Sequence, residues 1–402
     1  MESNGVSRNV TISIWIIVLA MHCTDIKVSV VKFTEIFFLL YAIINIRDFC
    51  DVGKFFFRFF TIFLAITFVH NIFMDFSYHS NISFLKLPYL VSLGRYIEVI
   101  SCLSFMEFVR RTIIKYGFTE VLNLILRINC IFCLFIFLIF ILNILGYNAI
   151  SVTYGDNYRV RGLFVEGGPF GLLCSIMAIL GIIQKRPIKE TVLIILLVFI
   201  AQSKAGIVAL SAYFCIHFLR KLYLNDSYRK YFFIGIVSAS IGFVFAFIYI
   251  SKMYIDEIND VSLLDSYVNS HPEDYSATAG RIPATFIVPQ MFFEHPLIGI
   301  GIGNYSLLRN LPEYRSFFPA IDIDDATGYG GVVDILNQCG LIGLAFFLYF
   351  IINQVRCSEK ALYITLFVLP MLCGVQYTFL YPWFFLALHS FSLYPDSEQI
   401  ED

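Results

Sequence analysis

Apolar residues along this chain gather into runs of bilayer-spanning length separated by short polar joints, and one long polar stretch, residues 252–330, breaks the pattern. A helix needs roughly 17–25 apolar residues to cross a bilayer. Runs at 10–23, 28–46, 55–74, 82–108, 121–145 and 168–183 in the first half predict six such helices. Runs at 191–201, 206–219, 231–250, 332–353, 361–375 and 377–388 predict six more. The reading is an all-α polytopic membrane protein of about twelve transmembrane helices with one large extracytoplasmic loop subdomain between helices 9 and 10. Residues 1–251 carry helices 1–9, residues 252–330 the loop subdomain, and residues 331–402 helices 10–12 with a cytoplasmic tail. Inside the loop, residues 285–293 are apolar and set beside Pro283 and Pro289, which predicts a short surface-lying amphipathic piece.

Cation placement orients the runs, because Lys and Arg concentrate in cytoplasmic loops. Arg47, Lys54 and Arg58 follow the second run, Arg110, Arg111 and Lys115 the fourth, and Lys185, Arg186 and Lys189 the sixth. Arg220, Lys221, Arg229 and Lys230 follow the eighth, Arg356 and Lys360 the tenth. Every second connection is thereby inside and both termini are cytoplasmic. The connection at 146–167, the joint at 202–205 and the long loop then face outward.

Composition narrows the class. With 58% hydrophobic and 14% charged residues and a mean hydropathy of +0.77, a soluble globular domain is excluded and the lipid bilayer is the first partner. The net charge of -2 names no partner, and no cluster interleaves bases with aromatics, so nucleic acid is excluded. The ten Cys are scattered, many within apolar runs (Cys102, Cys130, Cys133, Cys174, Cys215, Cys373), without metal spacing or a disulfide framework. They read as small core residues, and neither a metal nor a cofactor is expected. The short polar leader at residues 1–9 lacks a convincing cleavage pattern, so the first run is expected to remain as an anchor.

Candidate chemistry lies on the outward side. In R-V-R-G-L-F-V-E-G-G-P-F-G, residues 159–171, Arg159 and Arg161 offer planar paired donors for phosphate oxygens, while the Gly-Gly-Pro turn into the sixth helix exposes backbone N–H groups that attract anions. The bland alternative is that the arginines neutralise Asp156 and Glu166 at a surface loop. In Q-S-K-A-G, residues 202–206, Lys204 sits at the outer boundary, as a member of a cationic pocket or as a lysine reaching for water. The long loop holds Arg281, Glu294, His295 and the run G-I-G-I-G-N, residues 299–304. That run lacks the Lys-Ser/Thr of a P-loop and any Rossmann alternation, so its glycines serve tight turns or close backbone approach. His295 before Pro296 reads as a turn or cap residue. Two charge pairs lie inside runs, Lys32 with Glu35 and Arg95 with Glu98, each three apart on one helix face. Either each pair neutralises itself or it marks a functional site; Arg95, mid-run beside Gly94, is the stronger functional candidate.

Taken in order, these phrases resemble the superfamily of bacterial O-antigen polymerases and O-antigen ligases. The resemblance rests on Arg161-Gly162-Leu163-Phe164 through Pro169, then Ser203-Lys204-Ala205-Gly206, then Arg281 ahead of His295-Pro296-Leu297-Ile298-Gly299-Ile300-Gly301, then Gly340-Leu341-Ile342-Gly343. It covers about residues 159–350. Ligases of that superfamily look as if they rely on a His about eleven positions before the last phrase; here the neighbourhood reads Asp324-Asp325-Ala326-Thr327-Gly328-Tyr329-Gly330-Gly331. Glu166 resembles a carboxylate of the polymerases, so polymerase is preferred over ligase, with a flippase or transporter of lipid-linked oligosaccharide as the alternative from another class.

The resemblance implies an inner-membrane, multi-pass glycosyltransferase that needs no metal and joins undecaprenyl-diphosphate-linked oligosaccharide units on the periplasmic face during lipopolysaccharide synthesis. It also leaves room for a chain-length regulator protein as a partner. Arg161 and Arg281, with Arg159 or Lys204, would stabilise the diphosphate leaving group. Glu166, or the acidic cluster Asp322, Asp324 and Asp325, would serve as base. Arg95 would add to substrate binding, and loop aromatics such as Tyr305, Tyr314, Phe317, Phe318 and Tyr329 would stack on sugar rings.

Overall fold

The computed structural model describes residues 8–28, 31–74, 87–147, 150–154, 159–224, 261–271, 278, 280–321, 328–357 and 361–392. Within them the chain is all-α apart from two short antiparallel hairpins, β1 (Lys27–Val28) with β2 (Val31–Lys32) and β3 (Thr153–Tyr154) with β4 (Arg159–Val160). The apolar runs of the first half become α1 (Arg8–His22), α2 (Phe33–Asn45), α3 (Asp51–Phe73), α4 (Pro88–Tyr116), α5 (Phe118–Ile144) and α6 (Gly167–Ile183). Then follow α7 (Ile188–Ile200) and α8 (Lys204–Leu224), while the run at 231–250 lies outside the described residues. The loop holds α9 (Val261–Ser270), α10 (Arg281–Glu294), α11 (Tyr305–Leu308) and α12 (Pro312–Arg315). The chain closes with α13 (Gly331–Cys357), α14 (Ala361–Leu372) and α15 (Leu380–Ser392). Among the described residues four helices are long and apolar enough to cross a membrane: α3, α4, α5 and residues Gly331–Val355 of α13; several others are shorter and apolar.

Three boundaries differ from the sequence expectation, each for a local reason. The run at 28–46 opens with a hairpin, so α2 starts only at Phe33, with the Lys32 backbone N–H donating to the Glu35 carboxylate. Pro88 occupies the first turn of α4, where its missing N–H costs nothing, and the helix runs on to Tyr116 before Gly117 at φ +88° ends it. Arg95 therefore lies about 10 Å from the start of α4 rather than at mid-helix. The run at 332–353 is interrupted at Gly340, whose φ of +66° no helix interior tolerates.

The centre of the bundle is α4, packed against α2, α3 and α15. It is the most buried and least apolar of the four long helices, and the reason is visible in its polar residues. Ser92, Ser104 and Thr112 return their hydroxyls to carbonyls four residues back, and Arg95 and Glu107 are buried against neighbouring helices. Polar groups in a membrane helix face protein because lipid offers them no partner.

The loop subdomain has its own small core. Ala284, Ile287, Val288 and Met291 form one stripe of α10 at helical spacing and pack with Ile300, Tyr305, Leu308 and Tyr314. The amphipathic piece expected at 285–293 is thus part of a longer helix, with Pro289 inside it on the exposed face.

Candidate functional site

Two polar constellations occupy the end of the bundle at which α4 begins, and they differ in kind. The first is a joint of backbone turns. Glu166 is the N-cap of α6 and is exposed. The Arg159 guanidinium Nε donates to the Ala201 carbonyl at the end of α7, 3.2 Å away, and its Nη2 would lie 3.5 Å from a Cβ on Gly167. The Ser203 hydroxyl donates to Gly168 O at 2.8 Å and accepts the Gly206 N–H at 3.1 Å. A Cβ on Gly206 would meet Gly171 O at 2.7 Å, so the starts of α6 and α8 touch backbone to backbone. Lys204 opens α8 and is exposed.

Arg161 lies in the same turn. Its N–H donates to Val152 O at 2.8 Å, and its guanidinium donates to the Val165 carbonyl at 3.4 Å. Among the described residues Glu166 forms no ion pair with either arginine, so half of the bland alternative fails; Asp156, the other half, lies outside them. Among the described residues, two helix N-termini, two guanidiniums and one ammonium stand against the carboxylates of Glu166 and Asp25, a balance whose net field favours an anion.

The second constellation is a buried charge network that pairwise spacing did not foresee. Arg95 donates both to Glu98 Oε1 (3.0 Å) and to Glu98 Oε2 (2.9 Å). Lys32 reaches Glu35 at 3.4 Å and Glu98 at 3.6 Å. Glu98 thereby joins two pairs into one net-neutral quartet across α2 and α4. On one flank Asp25 lies within electrostatic reach of Lys32 and accepts the Val165 N–H at 3.2 Å, which links the quartet to the turn carrying Arg161 and Glu166.

On the other flank the glycine run covers Arg95. Gly299, Gly301 and Gly303 all have positive φ, and a Cβ on Gly303 would press on Arg95 Cγ at 3.1 Å. The run fills the break in α13. Ile300 and Gly301 N–H groups donate to Asn337 and Gln338 carbonyls, while the Leu341 and Ile342 N–H groups donate to Pro296 and Leu297 carbonyls. The Ile302 N–H is taken by the Thr67 hydroxyl (2.9 Å), and Gln338 Oε1 accepts from both Gly303 N (3.1 Å) and the Tyr377 hydroxyl (2.8 Å). The close approach that the glycines permit is to this chain's own helices. A broken helix inside an apolar bundle is tolerated when protein supplies the partners, as it does here for the Asn337 and Gln338 carbonyls and the Leu341 and Ile342 N–H groups.

The remaining predicted residues fall in the loop. Arg281 is the first residue of α10; its side chain lies outside the described residues, and α10 packs against α12 and α13. Tyr329 places its hydroxyl on that of Thr285. Tyr305, at 2% exposure, belongs to the loop core, where it packs with the α10 stripe. Tyr314 and Phe318 are likewise buried. Burial and a hydrogen bond to Glu294 push the Tyr314 pKa up, which keeps it a neutral donor. The acidic cluster Asp322, Asp324 and Asp325 lies outside the described residues.

Sequence reasoning passed over Asp25, Gln338, Asp334 and Tyr377. Asp334 is buried with its carboxylate accepting the Gly330 N–H at 2.9 Å. For Asp334, Gln338 and Tyr377 the available signal was polarity inside an apolar run; Asp25 lies in a polar joint and carried no such signal.

Fold and site together define an all-α protein with helices able to cross a membrane and a cationic joint beside a buried charge network. Compared with known proteins, the chain matches no family model and no curated protein.

Proposed function

We propose that the protein is an O-antigen polymerase, a twelve-span glycosyltransferase of the bacterial inner membrane with cytoplasmic termini and a periplasmic active site. The observation that carries the reading is the meeting of the 159–171 strip with the 202–206 joint, made by the Arg159 to Ala201 contact and the Ser203 to Gly168 bond. These are two of the ordered phrases on which the resemblance rests, and together they gather Arg159, Arg161, Glu166 and Lys204.

In the proposed reaction an acceptor sugar hydroxyl attacks the anomeric carbon of the undecaprenyl-diphosphate-linked donor. The new glycosidic bond forms as the anomeric carbon to phosphate-oxygen bond breaks, the hydroxyl proton passes to Glu166, and the diphosphate leaves as an anion. Arg161 and Arg281, with Arg159 and Lys204, stabilise that anion through planar and ionic donors. Arg95 acts through the glycine run that rests on it rather than by touching the sugar diphosphate.

One observation favours a second reading, a carrier of lipid-linked oligosaccharide: the helix broken at Gly340 beside buried Arg95, Lys32 and Glu98 is an arrangement that transporters use. The lipopolysaccharide ladder of a deletion strain separates the readings. A polymerase loss leaves lipid A-core carrying one repeat unit. Loss of every repeat sinks the polymerase assignment in favour of the carrier or a ligase.

A further inference from the structure

The opposite end of the bundle carries a feature that the transferase reading does not use. A groove of about 410 Å³ runs along α3 beside the second half of α13. Its mouth is formed by Lys54 and Arg58, four residues apart on one face of α3 and both exposed. Asp51 stands beside them in the first turn of α3, where a helix N-terminus favours a carboxylate, so the mouth carries one surplus positive charge. Below the mouth the walls are apolar: Phe59, Ile62 and Phe63 of α3 face Phe346 of α13.

The ends of the groove are closed by packing. Phe55 stacks on Phe350 with ring centroids 4.8 Å apart. A Cβ on Gly343 would lie 3.2 Å from the Phe63 ring, so the two helices touch there as well. Phe63 lies nine positions beyond Lys54 and five beyond Arg58, about 14 Å and about 8 Å of helix, against the roughly 15 Å of one leaflet's share of the hydrocarbon core. The volume falls within the roughly 300–1,000 Å³ of small-ligand sites.

We infer that this groove is a binding site for an anionic phospholipid of the leaflet at the Lys54 end, with one acyl chain lying between Phe59, Ile62 and Phe346 and the headgroup phosphate held by Lys54 and Arg58. Three observations point to this occupant together. The cations stand where a headgroup stands, the apolar walls begin directly beneath them, and the groove is one leaflet deep. A polyprenyl chain reaching across the bilayer would overrun a site that Gly343 and Phe63 close at half depth. Arginine and lysine four apart can grip one phosphate from two sides, and the surplus charge selects a net-negative headgroup over a zwitterionic one. The inference needs only that the chain lies in a bilayer, and it stands or falls separately from the transferase reading.

The test is native mass spectrometry of the full chain, purified in detergent and exposed to equal amounts of phosphatidylglycerol, phosphatidylethanolamine and undecaprenyl phosphate. The wild-type protein should retain phosphatidylglycerol preferentially. Lys54→Gln with Arg58→Gln should lower that retention about thirtyfold, roughly fivefold per cation, while leaving phosphatidylethanolamine adducts unchanged. Ile62→Trp, which fills the apolar walls without touching the cations, should displace both phospholipids and keeps the test decisive if the double variant does not fold. Equal retention of the two phospholipids, preference for undecaprenyl phosphate, or no loss in either folded variant overturns the assignment.

Discussion

Two sets of arginines sit at the same end of the bundle and are held in opposite ways. Arg95 is 9% exposed and its guanidinium is committed to the Glu98 carboxylate, which Lys32 shares. Arg159 and Arg161 are half-buried and anchored by backbone carbonyls, at Ala201 and Val165. A carbonyl orients a guanidinium without cancelling its charge, whereas a buried carboxylate cancels it. The first set is therefore equipped to hold the bundle, and the second keeps a positive charge that, in the proposed function, receives an anion. Polarity in a membrane sequence does not tell the two apart; the partner does.

The comparison breaks most visibly at Glu98. Glu98→Ala leaves Lys32 and Arg95 buried without their shared partner and should destabilise the fold by about 3–5 kcal/mol. Thermal unfolding in detergent reads this directly, and a melting point within a degree or two of wild type would show that the quartet is not structural. At the other set the loss should be in function. Arg161→Lys and Arg281→Lys are each expected to cut repeat-unit polymerisation at least about a hundredfold, equivalent to about 2.7 kcal/mol of transition-state stabilisation, because a point charge does not replace a planar fork. Both proteins should insert and melt as wild type; full-length ladders from both would end the diphosphate-clamp assignment.

Gly340→Ala sharpens the contrast from the side of the glycine run. Its Cβ would run into the Leu297 carbonyl and its φ is +66°, so a loss of about 1–3 kcal/mol is expected together with exposure of the run to limited proteolysis. An unchanged digestion pattern would mean that the break in α13 does not depend on this residue. The smallest effects belong to the exposed charges. Lys204→Gln and Glu166→Gln should each stay within about 0.5 kcal/mol of wild-type stability while lowering activity. A large stability loss in either would move it from the receiving set to the holding set.

Among the described residues, helix positions were largely legible along the chain because apolar runs mark them, although only four of these helices reach spanning length. Run boundaries were less so. The start of α2 depends on a hairpin two residues wide, and the start of α4 on Pro88, both too local for a window of apolar residues to register. Within the candidate site the strip and the joint were each recognisable as residue types in order, and their meeting was one of two alternatives open for Lys204. Tyr305 illustrates the converse. An aromatic residue in a polar loop suggested a sugar platform, yet the α10 stripe of Ala284, Ile287, Val288 and Met291 needed an apolar face to cover and took it.

What the sequence by itself determined is the class: 58% hydrophobic residues, gathered into long apolar runs, call for helices that satisfy their own backbone groups, and four of those described are long and apolar enough to cross a membrane. It also determined which charges the fold would have to accommodate. Only the tertiary structure decided which of those charges are neutralised. That outcome turns on contacts between residues distant in sequence, Lys32 with Glu98 and Arg159 with Ala201, and no local spacing encodes the distance between two helices.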